Sequence, residues 1–340
     1  MNSKVALGLA YVILAITSFW FYPKWQNERT EATISWDVSG YYWYLPASVI
    51  YKDVKTLAWA DDIRKKYAPT THELQSFDHP SGNKLMKYSV GMAVQYLPFF
   101  LTAHALAPAL GYPADGFSKP YQFSVQFGSL LFCFVGLWFL RKVLLEYFKE
   151  GAVAWLLILY ALGRNYLNYG AIDGAMTHNW LFSWYAILMW LSVKFYTKPR
   201  YLTGLGIGLV LGIMALTRPT EVIAAIIPLA WGLHHVKLND IKARLVFIKE
   251  HFLKYALAVI AMIAVGSIQL IYWKYATGEW LVYSYEDQGF TWLRPHVINY
   301  TFNYRSGWLL YTPLMIFAWI GFIPLIKKTS SLFQCWCFAS

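Results

Sequence analysis

Apolar residues fall in long runs along this chain, at roughly 5–22, 89–110, 121–140, 151–168, 175–196, 201–217, 220–236, 253–276 and 307–326. Short polar breaks separate most of them. Runs near 20 residues match what an α-helix needs to cross a hydrocarbon core of about 30 Å. The pattern predicts an all-α polytopic membrane protein made of one domain, residues 1–326, with a short cytoplasmic tail, 327–340. Two breaks are long, 23–88 and 277–306, and long loops in a compact chain usually carry function. Within the first, Ala47, Ile50, Val54 and Leu57 recur at helical spacing, with Lys52, Asp53, Lys55 and Thr56 on the other side. That spacing predicts a juxtamembrane helix lying apolar face down at the headgroup boundary.

The run 89–110 decides the orientation. If it does not cross and the N-terminus is inside, every short basic loop is cytoplasmic: Arg141 to Lys149, Lys194 to Arg200, Lys237 to Lys254, and Lys327 with Lys328. If it crosses, those loops move outside, against the positive-inside bias. Pro98, His104 and Pro108 also suit a broken or interfacial segment. The expectation is about eight transmembrane helices in a plasma (inner) membrane. The first outer loop then spans 23–120, the second 277–306, and the chemistry belongs on the outer, periplasmic face. The first run lacks a small-residue cleavage motif and reads as an uncleaved span.

Composition agrees with this class. The chain has 340 residues, 58% hydrophobic and only 14% charged, where soluble domains carry about 25%. Its net charge of +11 sits in the loops, where topology and anionic lipid headgroups account for it better than nucleic acid does. Cys133 lies inside an apolar run and Cys335 and Cys337 near the end, so there is no disulfide framework; a metal pair at Cys335 and Cys337 is the weaker reading beside an inert tail, as no third or fourth ligand is nearby.

One acid stands among aromatics soon after the first run, in "ISWDVSGYYWYLPASVIY": Asp37. With "YSVGMAVQYLPFF", "ADGFSKPYQFSVQFGSLLFCFVGLWFLRKVL", "AMTHNWLFSWYA", "LTRPTEV" and "YRSGWLLYTPL" in that order, the chain resembles the GT-C superfamily of membrane glycosyltransferases. The nearest branch is that of the lipid-A aminoarabinose transferases and protein O-mannosyltransferases. The resemblance implies a polyprenyl-phosphate sugar donor, inverting transfer to a glycan, lipid or protein acceptor, and a catalytic base at Asp37. The chain departs from that pattern at Met86-Lys87-Tyr88-Ser89, where relatives often carry a second acid.

Other residues follow from their chemistry. A guanidinium binds phosphate by paired hydrogen bonds and stabilises a departing phosphate's charge. Arg218 and Arg305 are the candidates, with Lys87 third, and pairing with Glu221 is the simpler reading of Arg218. Asp173 and His178 stand at the ends of adjacent runs and, with Tyr41 and Glu286, are the sugar or acceptor candidates. The dipeptide Asp78-His79 is the weak metal candidate against a plain solvated turn, so a divalent cofactor stays open and none is expected with certainty. The sequence alone also admits a lipid-linked sugar flippase or binding protein. Such a protein should place ionisable residues deep in its spans, often with paired half-repeats. Here the central thirds carry almost none, with Gln126 and Gln269 the main polar exceptions and no half-repeat, which favours surface chemistry over passage.

Overall fold

The computed structural model of the protein describes residues 1–71, 75–233, 238–284, 295–305 and 307–328. The first helix, α1 (Ser3–Ile16), starts at Asn2, whose side chain caps the Lys4 N–H at 2.8 Å. It runs on through a π turn, Thr17–Phe21, and a 3-10 turn, Lys24–Gln26. Two short helices follow, α2 (Trp36–Tyr42) and α3 (Tyr44–Val49), then α4 (Ala60–Tyr67) and an antiparallel hairpin, β1 (Ser76–Asp78) and β2 (Lys84–Met86). The main bundle comprises α5 (Gly91–Leu106), α6 (Lys119–Leu145), α7 (Glu150–Leu162), α8 (Thr177–Thr197), α9 (Tyr201–Thr217) and α12 (Phe252–Thr277). Smaller pieces are α10 (Ile226–Ala230), α11 (Leu238–Glu250), α13 (Val297–Phe302), α14 (Trp308–Tyr311) and α15 (Met315–Lys328).

Three described stretches are long and apolar enough to cross a membrane: Ser3–Gln26, Lys119–Leu145 and Phe252–Thr277. The chain is therefore mostly helical with a membrane character, but the other apolar runs do not each become one long helix. The run 151–168 stops at Leu162, where Gly163, Arg164 and Asn165 follow. The run 220–236 opens as a 3-10 helix, Pro219–Ala225, and Pro228 falls in the short α10. Thr312-Pro313 divides the run 307–326. The 16 residues of α5 span about 24 Å, less than a hydrocarbon core. Its partners are α2, α3, α6 and α9.

The juxtamembrane helix predicted over Ala47–Leu57 is only half formed. The helix ends at Val49, and Lys52 (φ 55°) and Leu57 (φ 50°) are left-handed. Asp53 organises the bend instead. Its carboxylate accepts from the backbone N–H groups of Lys55, Thr56 and Ala58 and from Thr56 Oγ1, at 2.7–3.1 Å. A short polar side chain that captures local N–H groups competes with helix in this way.

The aromatic cluster after Asp37 is core. Tyr42 is fully buried, with ring contacts to Tyr96, Phe100 and Phe117, and its hydroxyl donates to Gly116 O at 2.5 Å. Trp43 and Tyr44 are buried beside it. The first loop thus folds as a cap over α5 and the start of α6, with its own packed interior.

Two sets of long-range contacts mark the two ends of the bundle. At one, Ser3 bonds Glu150 and Arg141 Nε, joining α1, α6 and α7. At the other, Gln126 of α6 accepts from Trp25 N and Thr33 Oγ1 and donates to Ser18 and Tyr22. Between the ends, Gly204, Gly208 and Gly212 bring α9 against α12: a Cβ at Gly208 would stand 2.1 Å from Ala258 O. That spacing is the small-xxx-small pattern of close membrane helix pairs.

Candidate active site

Asp37 sits in the first turn of α2, partly exposed. The chain enters that turn under strain. Trp36 has φ 48°, a left-handed conformation that a bulky residue rarely adopts. It is pinned by its N–H to Pro69 O at 3.0 Å and by Ser39 Oγ to its carbonyl at 2.6 Å. Strain held by the surrounding structure is a common mark of functional sites. Asp37 Oδ1 accepts from the Tyr88 hydroxyl at 2.7 Å, while nothing among the described residues bonds Oδ2. The carboxylate is anchored by one oxygen and open at the other.

Three further residues named from the sequence gather there. After burial, the charges of Arg218, Asp37 and Asp173 act on the His178 imidazole. The start of α2, the end of α9 and the turn before α8 therefore each bring a charged residue within electrostatic range of the start of α8. Arg218 links α9 to the 3-10 helix after it, partly exposed. Among the described residues its guanidinium makes no ion pair. The simpler reading of Arg218 is set aside, because the Tyr185 hydroxyl bonds Glu221.

Asp173 has a different position from a free acid. It pairs with Lys24 Nζ at 2.5 Å and accepts from Asn168 Nδ2 at 3.1 Å. This stitches the end of the first apolar stretch to the turn before α8. The pair borders a cavity of about 240 Å³, also lined by Ser35, Trp36, Val38, Gln126 and Tyr169. Asp37, between two lining residues, is bonded to Tyr88.

The remaining candidates lie outside the group. The buried Tyr41 ring packs on Tyr88, centroids 4.5 Å apart, and so supports the Asp37 anchor. Lys87 stands 5.9 Å from the Tyr88 ring centroid. Arg305 is exposed, its Nε bonded to the neighbouring Tyr304 hydroxyl at 3.3 Å. Asp78 pairs with Lys84, and His79 Nδ1 accepts from Ser81 N in the hairpin turn. No group of three metal-ligating residues occurs among the described residues. Glu286, Cys335 and Cys337 lie outside the described residues. Cys133 is buried, with the Tyr166 hydroxyl bonded to its sulfur at 3.3 Å.

Sequence reasoning missed Tyr88, Lys24 and Tyr169. A tyrosine in an aromatic-rich chain carries no distinguishing signal. Lys24, the first cation after the first run, had one: an acid at a matching depth invites a partner. Gln126 and Gln269 are structural. Gln126 clasps the end of the first stretch, and Gln269 Oε1 accepts from Val90 N at 2.8 Å.

The chain matches no family model, and no curated protein or solved structure shows significant similarity to it.

Proposed function

We propose that the protein is an inverting glycosyltransferase that takes a sugar from a polyprenyl-phosphate donor at the outer face of a membrane. The observation that carries this reading is that Asp37 and Arg218 both lie within electrostatic range of His178, and among the described residues Asp37 Oδ2 accepts no hydrogen bond and the Arg218 guanidinium has no ion-pair partner. In the proposed reaction Asp37 Oδ2 takes the proton of an acceptor hydroxyl as that oxygen attacks the anomeric carbon. The bond from that carbon to the phosphate oxygen breaks, and configuration inverts. The released lipid phosphate gains negative charge, which Arg218 stabilises by charge-assisted hydrogen bonds. Tyr88 fixes the carboxylate, and His178 donates to the sugar or phosphate. A flippase calls for ionisable residues deep within its spans, whereas the deep polar side chains Gln126 and Gln269 carry no charge and are hydrogen-bonded to the chain itself, which favours the transferase reading.

The test is transfer from a labelled polyprenyl-phosphate sugar by purified protein in membranes, with Asp37→Asn beside it. The expected result is donor binding without transfer. Equal transfer by both proteins removes Asp37 as the base, and no turnover by the unaltered protein with any sugar removes the transferase reading.

A further inference from the structure

Apart from Asp37 and Arg218, an arginine from another element lines a cavity. Arg164 follows the end of α7, two residues past Leu162, inside what reads in the sequence as one apolar run. Its guanidinium carbon lies 5.0 Å from the centroid of the Tyr160 ring, within cation–π range of that face. Among the described residues it makes no ion pair. It lines a cavity of about 170 Å³ whose wall also includes Asn165, Tyr169, His178, Trp308 and Thr312. None of the described residues around this cavity is acidic. The imidazole of His178, 4.3 Å from Tyr169 between ring centroids, stands where this cavity meets the group around Asp37.

A half-buried cation with no acid beside it needs a counter-charge, and a planar guanidinium with amide, hydroxyl and imidazole groups around it suits a tetrahedral oxyanion. The alternative, a resident carboxylate, does not occur among the described residues of the lining. We infer that the cavity between the end of α7, the start of α8 and α14 is a phosphate-binding site with Arg164 as its principal ligand. Asn165 supplies a neutral hydrogen bond from its amide, and Trp308 covers the anion from the side. The chemistry is that of a phosphate monoester, whether on a lipid headgroup or free in solution. The site does not depend on the transferase reading, because it is read by binding alone.

The test is equilibrium binding of two probes to the purified full chain, inorganic phosphate in detergent solution and nanodiscs containing dioleoyl phosphatidic acid against neutral nanodiscs. Arg164→Gln, Arg164→Lys and Arg218→Gln are measured alongside. Loss of one charge-assisted pair should weaken binding by about tenfold in Arg164→Gln, with partial recovery in Arg164→Lys. Binding of the lipid probe only, of free phosphate only, or of both supports the site and identifies its source. Absence of binding by the unaltered protein, or equal binding by Arg164→Gln, overturns it. So does a loss confined to Arg218→Gln, which moves the anion to the other arginine. If Arg164→Gln does not fold, phenylglyoxal modification of Arg164 in the unaltered protein, mapped by mass spectrometry, decides. Protection by phosphate supports the site, and unchanged labelling overturns it.

Discussion

The Tyr88 hydroxyl donates a 2.7 Å hydrogen bond to Asp37 Oδ1, joining two residues 51 positions apart across the first loop. Among the described residues, the bond leaves Oδ2 as the Asp37 oxygen without a hydrogen-bond donor. Tyr88→Phe should therefore keep the fold and lower transfer about fivefold to tenfold, whereas Asp37→Asn should cost at least about a hundredfold, the usual range for a general base. A positioning role also predicts an altered acidic limb in the pH profile of Tyr88→Phe. Equal losses in the two variants, with unchanged pH profiles, would contradict the division of roles.

Gly40 makes the anchor possible. A Cβ built there would lie 2.6 Å from both Tyr88 Cδ2 and Gln75 Cβ, so alanine must displace the ring that holds Asp37. Gly40→Ala should destabilise the protein by about 1–3 kcal/mol through overpacking and reduce transfer as Tyr88→Phe does. Gly8→Ala is the control, since nothing stands within 4 Å of a Cβ at that position. Thermal unfolding in detergent compares the two.

The α9–α12 contact rests on backbone approach. Gly208→Val would drive a side chain into the Ala258 carbonyl, and Gly206→Val, whose Cβ meets only the Leu191 side chain at 3.3 Å, is the matched comparison. The expected outcome is a melting temperature several degrees lower for Gly208→Val and a smaller drop for Gly206→Val, as small residues let membrane helices pack closely. Equal effects would assign the cost to helix propensity alone.

Asp53 links loop shape to acidity. Partial burial pushes its carboxyl up, but bonds from Thr56 and the N–H groups of Ala58, Thr56 and Lys55 outweigh this and hold it at about 2. A carboxyl held below its unfolded value of about 3.9 contributes stability above that pH and loses it as pH falls through the folded value. The loop 50–58 should resist an acid-active protease at pH 5 and become cleavable as pH falls from about 4 toward 2. In Asp53→Asn it should be cleavable already at pH 5, with no further change on acidification.

Several of these features were legible in the chain. The apolar runs near 20 residues specified helices and a membrane setting, because hydrocarbon thickness sets a length that composition alone can reveal. The paired carboxylate of Asp61 with Arg64, one helical turn apart, was equally readable, as local spacing places them together. The Gly204–Gly208–Gly212 spacing carried a packing signal that the sequence reading did not use.

What tertiary structure decided was which polar groups have partners. From the sequence, Asp37 and Asp173 are both acids near run ends. Only the fold gives one an open oxygen and the other Lys24. Arg218 and Arg164 look alike or invisible in a linear pattern, yet whether each finds an ion-pair partner, and among the described residues neither does, depends on residues far away in the chain. The aromatic stretch after Asp37 has the composition of a headgroup belt and became a core, since period and hydrophobicity are the same for both. Local patterns determine helices and which of them are long and apolar enough to cross a membrane. Electrostatic partnership is a long-range property, and it exists only once the loops have folded over the bundle.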